Sequence, residues 1–231
     1  MPVTSRFASV AALGLLVISS AAASSLFTIP VVNFSFEIPP AAGLTHGCGP
    51  NCSFSTGSIP GWVGSASNSG EFRPGALQGN TTWFNTLTNG NTILFDEGPT
   101  ISQTVGATVV PGDTYTLMVD LGQRKDLPLQ PFRPTVDLLI GGAGGTTFTA
   151  TGTAPVSGGW STFVATYTGL PGDAGKSITI QLLSTGSQGE FDNVRLSGLT
   201  PASSVPEPTG VTLLGLGLAG LLVFAKRQRA S

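Results

Sequence analysis

The sequence predicts an all-β domain, a β-sandwich of the jelly-roll type, set between two targeting segments. Three observations predict it. Glycine and proline are abundant, 32 and 17 of 231 residues, and both disfavour long helices while marking turns. About nine short runs rich in β-branched and aromatic residues alternate apolar with polar positions at a period of two. Between the two ends, no run combines helical length with helical period.

The chain opens with one positive charge at Arg6, an apolar run from Phe7 to Ile18, and the small residues Ala21, Ala22 and Ala23. This is the pattern of a secretory signal peptide over residues 1–23, cleaved after Ala23. The sandwich follows over residues 24–198. Its runs are Phe27–Glu37, Asn91–Glu97, Thr100–Val109, Asp113–Gly122, Pro134–Gly142, Thr146–Gly152, Trp160–Gly169, Ser177–Ser184 and Glu190–Gly198. Within Asp113–Gly122, the residues Tyr115, Leu117, Val119 and Leu121 share one face, and Thr114, Thr116, Met118 and Asp120 share the other. That is a strand with one buried side. "PGD" precedes a run at Pro111–Asp113 and again at Pro171–Asp173, as turn chemistry requires. Residues 38–90 are less regular and predict long loops with two or three short strands at one end of the sandwich, where loops carry binding residues.

A linker over residues 199–208 leads to an uncharged segment at 209–225 and a basic end at 226–231. About 15–17 apolar residues make roughly 22–25 Å of helix, enough to cross a thin bilayer once Lys226 snorkels. Lys226, Arg227 and Arg229 then stay cytoplasmic by the positive-inside bias. Gly215, Gly217 and Gly220 spell G-x-G-x-x-G inside this segment. With no strand before them they read as membrane-helix glycines, not as a dinucleotide turn.

The tail combines Val205-Pro206-Glu207-Pro208, the apolar helix and the basic end with a signal peptide at the other terminus. This combination resembles the PEP-CTERM sorting signal of Gram-negative bacteria, also labelled an ice-binding-protein C-terminal domain. The resemblance implies processing by an exosortase, transit through the inner membrane, and a destination at the cell surface or in the extracellular matrix of an exopolysaccharide-making bacterium. Ice binding does not follow, because the middle has no regular Thr-x-Thr array.

Between residues 24 and 208, six Lys and Arg face twelve Asp and Glu, a net charge of −6. Such a domain does not seek nucleic acid or anionic lipid, which require clustered cations; it suits a hard cation such as calcium. Cys48 and Cys52 are an even pair in an exported chain and predict a disulfide. His46 is the only histidine, and a zinc site would need a fourth ligand beside it. With no G-x-S-x-G elbow and no free thiol, nucleophilic catalysis has few parts to work with. Asp96 and Glu97 are adjacent on a strand and point to opposite faces, so they are no glycosidase pair. The expectation is a protein that is not an enzyme.

"NFSFE" at Asn33–Glu37, "IPGW" at Ile59–Trp62, "ISQTVGATVVPGDTYTLMVDLGQR", "GWSTFVATYTG" and "FDNVRL" at Phe191–Leu196 occur in that order. Together they resemble the galactose-binding-like jelly rolls, many carbohydrate-binding modules among them. The resemblance implies a structural calcium joining the first and last strands through Glu37 and Asp192. The same residues also suit a turn cap and a strand-end hydrogen bond. For sugar, the candidates are Trp83 and Phe84 in an Asn/Thr-rich stretch, with Phe72, Arg73 and Gln78 near them in sequence; Trp62 and Trp160 occupy core positions. The function expected is non-catalytic carbohydrate or exopolysaccharide binding. A structural matrix or adhesion protein without a pocket, and a polysaccharide-active enzyme, are the other two classes.

Overall fold

The period-two alternation sorts into two sheets. The computed structural model describes residues 23–202, except 65–67, 99, 128–131 and 186–187, together with residue 217. Among the described residues there are twelve strands: β1 Ser25–Ile29, β2 His46–Gly49, β3 Cys52–Phe54, β4 Ser69–Arg73, β5 Ile93–Asp96, β6 Ile101–Thr108, β7 Thr114–Gly122, β8 Pro134–Ile140, β9 Thr146–Thr149, β10 Trp160–Thr168, β11 Ser177–Ser184 and β12 Gly189–Thr200. The larger sheet runs β10-β7-β12-β5-β4-β3-β2, with β1 also beside β12; the smaller runs β6-β11-β8-β9. All pairings are antiparallel. The long strand β12 has β7 along one edge, while β5 and β1 share the other.

Tyr115, Leu117, Val119 and Leu121 of β7 are buried, as the alternation requires. They belong to one hydrophobic cluster with Val136, Leu138 and Ile140 of β8 and Ile178, Ile180 and Leu182 of β11, which closes the two sheets on each other. Residues 24–201 form one compact unit that contains this cluster whole, so the domain folds without the chain ends.

The run expected from Phe27 to Glu37 stops as a strand at Ile29. Pro30 has no N–H for the ladder, and Asn33 and Phe36 adopt left-handed backbone angles, φ 49° and 55°. The chain turns there, and the turn is held by its own asparagine. The Asn33 amide donates to the carbonyls of Ile38 and Pro60 and to Glu71, and its oxygen accepts from the Ile38 N–H. Asparagine tolerates this conformation better than most residues; Phe36 is held by burial against Trp62, ring centres 5.6 Å apart.

Residues 38–90 hold three short strands, within the two or three expected, but not as an end-loop region. Their three short strands, β2 to β4, join the larger sheet beyond β5 and widen it. A Cys48–Cys52 disulfide closes the β2–β3 hairpin. The signal peptide, Val205-Pro206-Glu207-Pro208, the apolar segment 209–225 and the basic end lie outside the described residues, apart from residues 23 and 217. Among the described residues, no helix is long and apolar enough to cross a membrane.

Leu117 is fully buried and Leu26 is 74% exposed. Leu117→Ala should therefore cost about 2–5 kcal/mol of unfolding free energy, and Leu26→Ala about 0.5 kcal/mol or less, as read by urea denaturation.

Candidate functional site

Side chains of the larger sheet that miss the core face outward. In the centre of the sheet, that outer face is covered. A row of residues crosses it, each opposite the next in register: Gly70 of β4, Phe95 of β5, Glu190 of β12, Gly122 of β7 and Trp160 of β10. The Trp160 indole lies over Gly122, where a Cβ would come within 2.8 Å of its ring carbons. Phe84 stacks on that indole with centroids 5.0 Å apart. The Trp160 N–H donates to the Thr86 carbonyl at 3.0 Å.

The loop carrying Trp83 and Phe84 is pinned at its far end by two carboxylates. Asp192 accepts from the Thr88 hydroxyl at 2.8 Å and the Asn89 N–H at 3.0 Å. Its other oxygen accepts from the Asn193 N–H. Glu37 accepts from the N–H groups of Asn91 and Thr92 at 2.5 and 2.6 Å. Beneath the loop, Phe72, Phe84, Ile93 and Phe95 form a second apolar cluster with Leu87 and Cys52.

Beside this cluster opens a cavity of about 360 Å³, walled by Phe54, Phe72, Phe95 and Trp83, with Glu97, Arg124 and Gln188 at its polar side. The Arg124 guanidinium lies 4.4 Å from the Trp83 ring centre and 5.5 Å from that of Phe72, a cation–π contact. Arg124 is clamped by both oxygens of Asp126, at 2.9 and 2.7 Å, and donates to Gln188. Gln188 in turn donates to Glu97.

Behind Arg124 sits Glu190, fully buried, its Oε1 3.9 Å from the guanidinium. Among the described residues, neither carboxyl oxygen has a hydrogen-bond partner, and neither does the Trp83 indole N–H. Burial raises the Glu190 carboxyl well above the usual range; Arg124 opposes this, while Asp126 and Glu97 add to it. The protonated acid is the form this environment favours. Burial also lifts Glu71 and Asp192 to about 7 and Asp96 to about 6. Those three have hydrogen-bonded structural roles, with Asn33, with Thr88 and Asn89, and with the Ser184 N–H.

The five residues expected to meet sugar are divided. Phe72 and Trp83 line the cavity, and Phe84 is buried under the loop. Arg73 and Gln78 line a separate polar groove. Trp62 is a core residue, as expected, whereas Trp160 covers the outer face. The sequence reading missed Glu190, Arg124, Phe54 and Phe95. The signal available was the alternation itself, since Phe191 pointing inward sends Glu190 outward.

Calcium needs about six to eight oxygen ligands. The structure brings Glu37 and Asp192 to the two ends of one five-residue stretch, Thr88 to Thr92, where both accept hydrogen bonds from it. Among the described residues, no three acidic, histidine or cysteine side chains converge. As arranged, the two carboxylates anchor the loop by hydrogen bonds; any further oxygen ligands for an ion would have to come from backbone carbonyls and water.

A family model described as HpiC1 cyclase matches residues 27–197. The chain belongs to the HpiC1-like family. The PEP-CTERM protein-sorting motif matches residues 204–228, so this HpiC1-like protein carries an export signal of the kind exosortases process. Among solved structures, the Stig cyclase Fisc from Fischerella sp. TAU, in complex with (3Z)-3-(1-methyl-2-pyrrolidinylidene)-3H-indole, is 22% identical. The match covers 77% of this chain and 100% of that one, with a TM-score of 0.63. Another structure of a cyclase from Fischerella sp. TAU is 23% identical over 78% and 100% of the two chains, with a TM-score of 0.61. At such identity the likeness shows the fold. A CBM61 carbohydrate-binding module in complex with β-1,4-galactotriose aligns over 73% and 97% of the chains at 15% identity and a TM-score of 0.40, too low to carry an argument. No curated protein matches.

The buried acids make stability depend on pH. Glu71, Asp96, Asp192 and Glu190 all bind protons more tightly in the folded chain than in the unfolded one. Stability is therefore greatest below the unfolded carboxyl range and falls as pH rises through the folded values, by at most about 1.4 kcal/mol per pH unit for each group. The melting temperature should drop by several degrees between pH 5 and pH 8, and Asp192→Asn should flatten that slope. The calcium expected at Glu37 and Asp192 is tested by thermal melts with calcium and with chelator, where superimposed curves would leave the two carboxylates as loop anchors alone. A rise of several degrees with calcium would show that the ion gathers carbonyls of that loop around Glu37 and Asp192.

Proposed function

We propose that this exported HpiC1-like domain is an enzyme that binds a planar, electron-rich small molecule and transfers to it the proton of Glu190. One observation carries the reading: a fully buried carboxyl group with no hydrogen-bond partner among the described residues stands directly behind Arg124, whose guanidinium lies over the wall of the aromatic cavity. A structural carboxyl in that position would ordinarily be hydrogen-bonded. A flat ligand stacking on Trp83 competes with Arg124 for the same ring face. When the guanidinium withdraws toward the partly exposed Asp126, Glu190 loses its only nearby positive charge and its acid faces the ligand. Protonating the ligand leaves a glutamate anion, which then draws Arg124 back. Proton donation followed by return of a proton from the product requires no redox cofactor and suits an isomerising ring closure.

Support from relatives is of two kinds. The family is described by a cyclase, and a Fischerella cyclase of the same fold was solved with an indole compound. This reading departs from the non-catalytic sugar binding expected from the sequence, because Phe72 and Trp83 wall a cavity next to a carboxyl group whose burial favours the protonated form. Within the proposal, the destination of the protein is the cell surface or extracellular matrix.

The test uses 2-methylindole in D2O at pH 7. The protein should speed deuterium incorporation at the indole C3 position, and binding should quench Trp83 fluorescence. Glu190→Gln should keep the quenching within about twofold and lower the exchange rate about 10²-fold or more. Absence of quenching with either 2-methylindole or the pyrrolidinylidene-indole would remove the pocket from consideration. Binding without exchange would remove the acid role.

A further inference from the structure

The opposite side of the β3–β4 strip carries a second site, independent of Glu190. We propose that the groove formed by Asn51, Cys52, Ser53, Arg73, Gln78 and Asn91 binds a carboxylated polyhydroxy compound, an acidic sugar unit of a polysaccharide. Its volume is about 540 Å³, within the range of small-molecule sites, about 300–1,000 Å³.

The groove is built, not incidental. The Asn80 side chain donates to the Pro50 carbonyl at 2.9 Å, tying the β2–β3 turn to the segment after β4. Gln78 donates to the Asn91 side-chain oxygen at 3.0 Å across the groove. Gly75 approaches so closely that a Cβ there would lie 2.5 Å from the Asn51 carbonyl oxygen, and its φ of +77° favours glycine. The Cys48–Cys52 disulfide fixes the same turn.

Its chemistry is selective. None of the six lining residues is aromatic, so a neutral sugar has no ring to stack on. Instead three amide side chains and a hydroxyl surround one guanidinium. The other cations with described ion pairs have acids of their own: Arg124 with Asp126, Lys176 with Asp173, Arg195 with Asp120. Arg73 is exposed, and among the described residues its side chain makes no ion pair or hydrogen bond. Its planar fork matches a carboxylate in two parallel hydrogen bonds, and amides supply the donors and acceptors that hydroxyl groups need. The domain is acidic overall, with twelve Asp and Glu against six Lys and Arg between residues 24 and 208. An anionic polymer therefore gains nothing from the general field, and recognition rests on Arg73.

Calorimetric titration of residues 24–201 with trigalacturonic acid and with galactotriose tests this. Trigalacturonate should bind, and more weakly as salt rises; galactotriose should bind at least about tenfold more weakly. Arg73→Gln should lower trigalacturonate affinity about tenfold or more at an unchanged melting temperature, and Arg73→Lys should restore part of it. Glu190→Gln should leave the affinity unchanged, which separates this site from the aromatic cavity. No binding, equal binding of the neutral trisaccharide, or full affinity in Arg73→Gln would each overturn the proposal, as would loss of binding in Glu190→Gln.

Discussion

Phe191 and Glu190 are chain neighbours in β12 and must point to opposite faces of the larger sheet. Phe191 enters the core between the sheets. The position of Glu190 is fixed by that fact, and much of the site follows from it. An ordinary outer face would leave the glutamate in water. Here Phe95 stands opposite on β5, Trp160 lies over Gly122 on β7, and Arg124 closes the remaining approach. The cost of burying a carboxylate is met by keeping the proton, because one arginine at 3.9 Å without a direct hydrogen bond is too poor a partner to hold the charge.

The cover over that face depends on polar groups holding an aromatic loop in place. Hydrogen bonds to a charged acceptor contribute about 1.5–3 kcal/mol each. Asp192 and Glu37 each accept more than one from the Thr88–Thr92 stretch or its neighbours. Those bonds set where the loop ends; the Phe84–Trp160 stack and the Trp160–Thr86 hydrogen bond set how it lies. Trp83, which leaves this loop to wall the cavity, is thus positioned by carboxylates that do not line it. Glu37 and Asp192, the two residues expected to hold calcium, are structurally central through these hydrogen bonds.

The sequence showed the sandwich better than the site. Runs such as Asp113–Gly122 and Ser177–Ser184 reappear as β7 and β11 because period-two alternation reports burial on one side of a strand. It reports nothing about cover on the other side. Glu190, Gly122 and Asp120 all occupy positions that alternation assigns to solvent, and all three are buried. Gly122 lies under Trp160 of β10, Glu190 lies behind Arg124, and Asp120 is held by Thr162, Asn193 and Arg195, neighbours that alternation along one strand cannot name. β2, β3 and β4 were also obscure, being only three to five residues long with glycines among them. Phe72 and Arg73 stand together in the sequence as sugar-binding candidates, but as neighbours on a strand they face different hollows. Sequence proximity grouped what the pleat separates.

That pleat, together with one covalent bond, links the two hollows. Cys48 lines the aromatic cavity, and its disulfide partner Cys52 lines the polar groove. The crosslink closes so short a loop that it removes little entropy from the unfolded chain compared with one spanning a domain. Its effect is local: it holds β2 against β3 at the margin of the larger sheet, where the strands are short. Such a bond persists in an oxidising compartment and is lost in a reducing one. The PEP-CTERM motif sends the chain out of the reducing cytoplasm. Export therefore does more than deliver this domain. It supplies the condition under which the shared wall of both hollows keeps its shape.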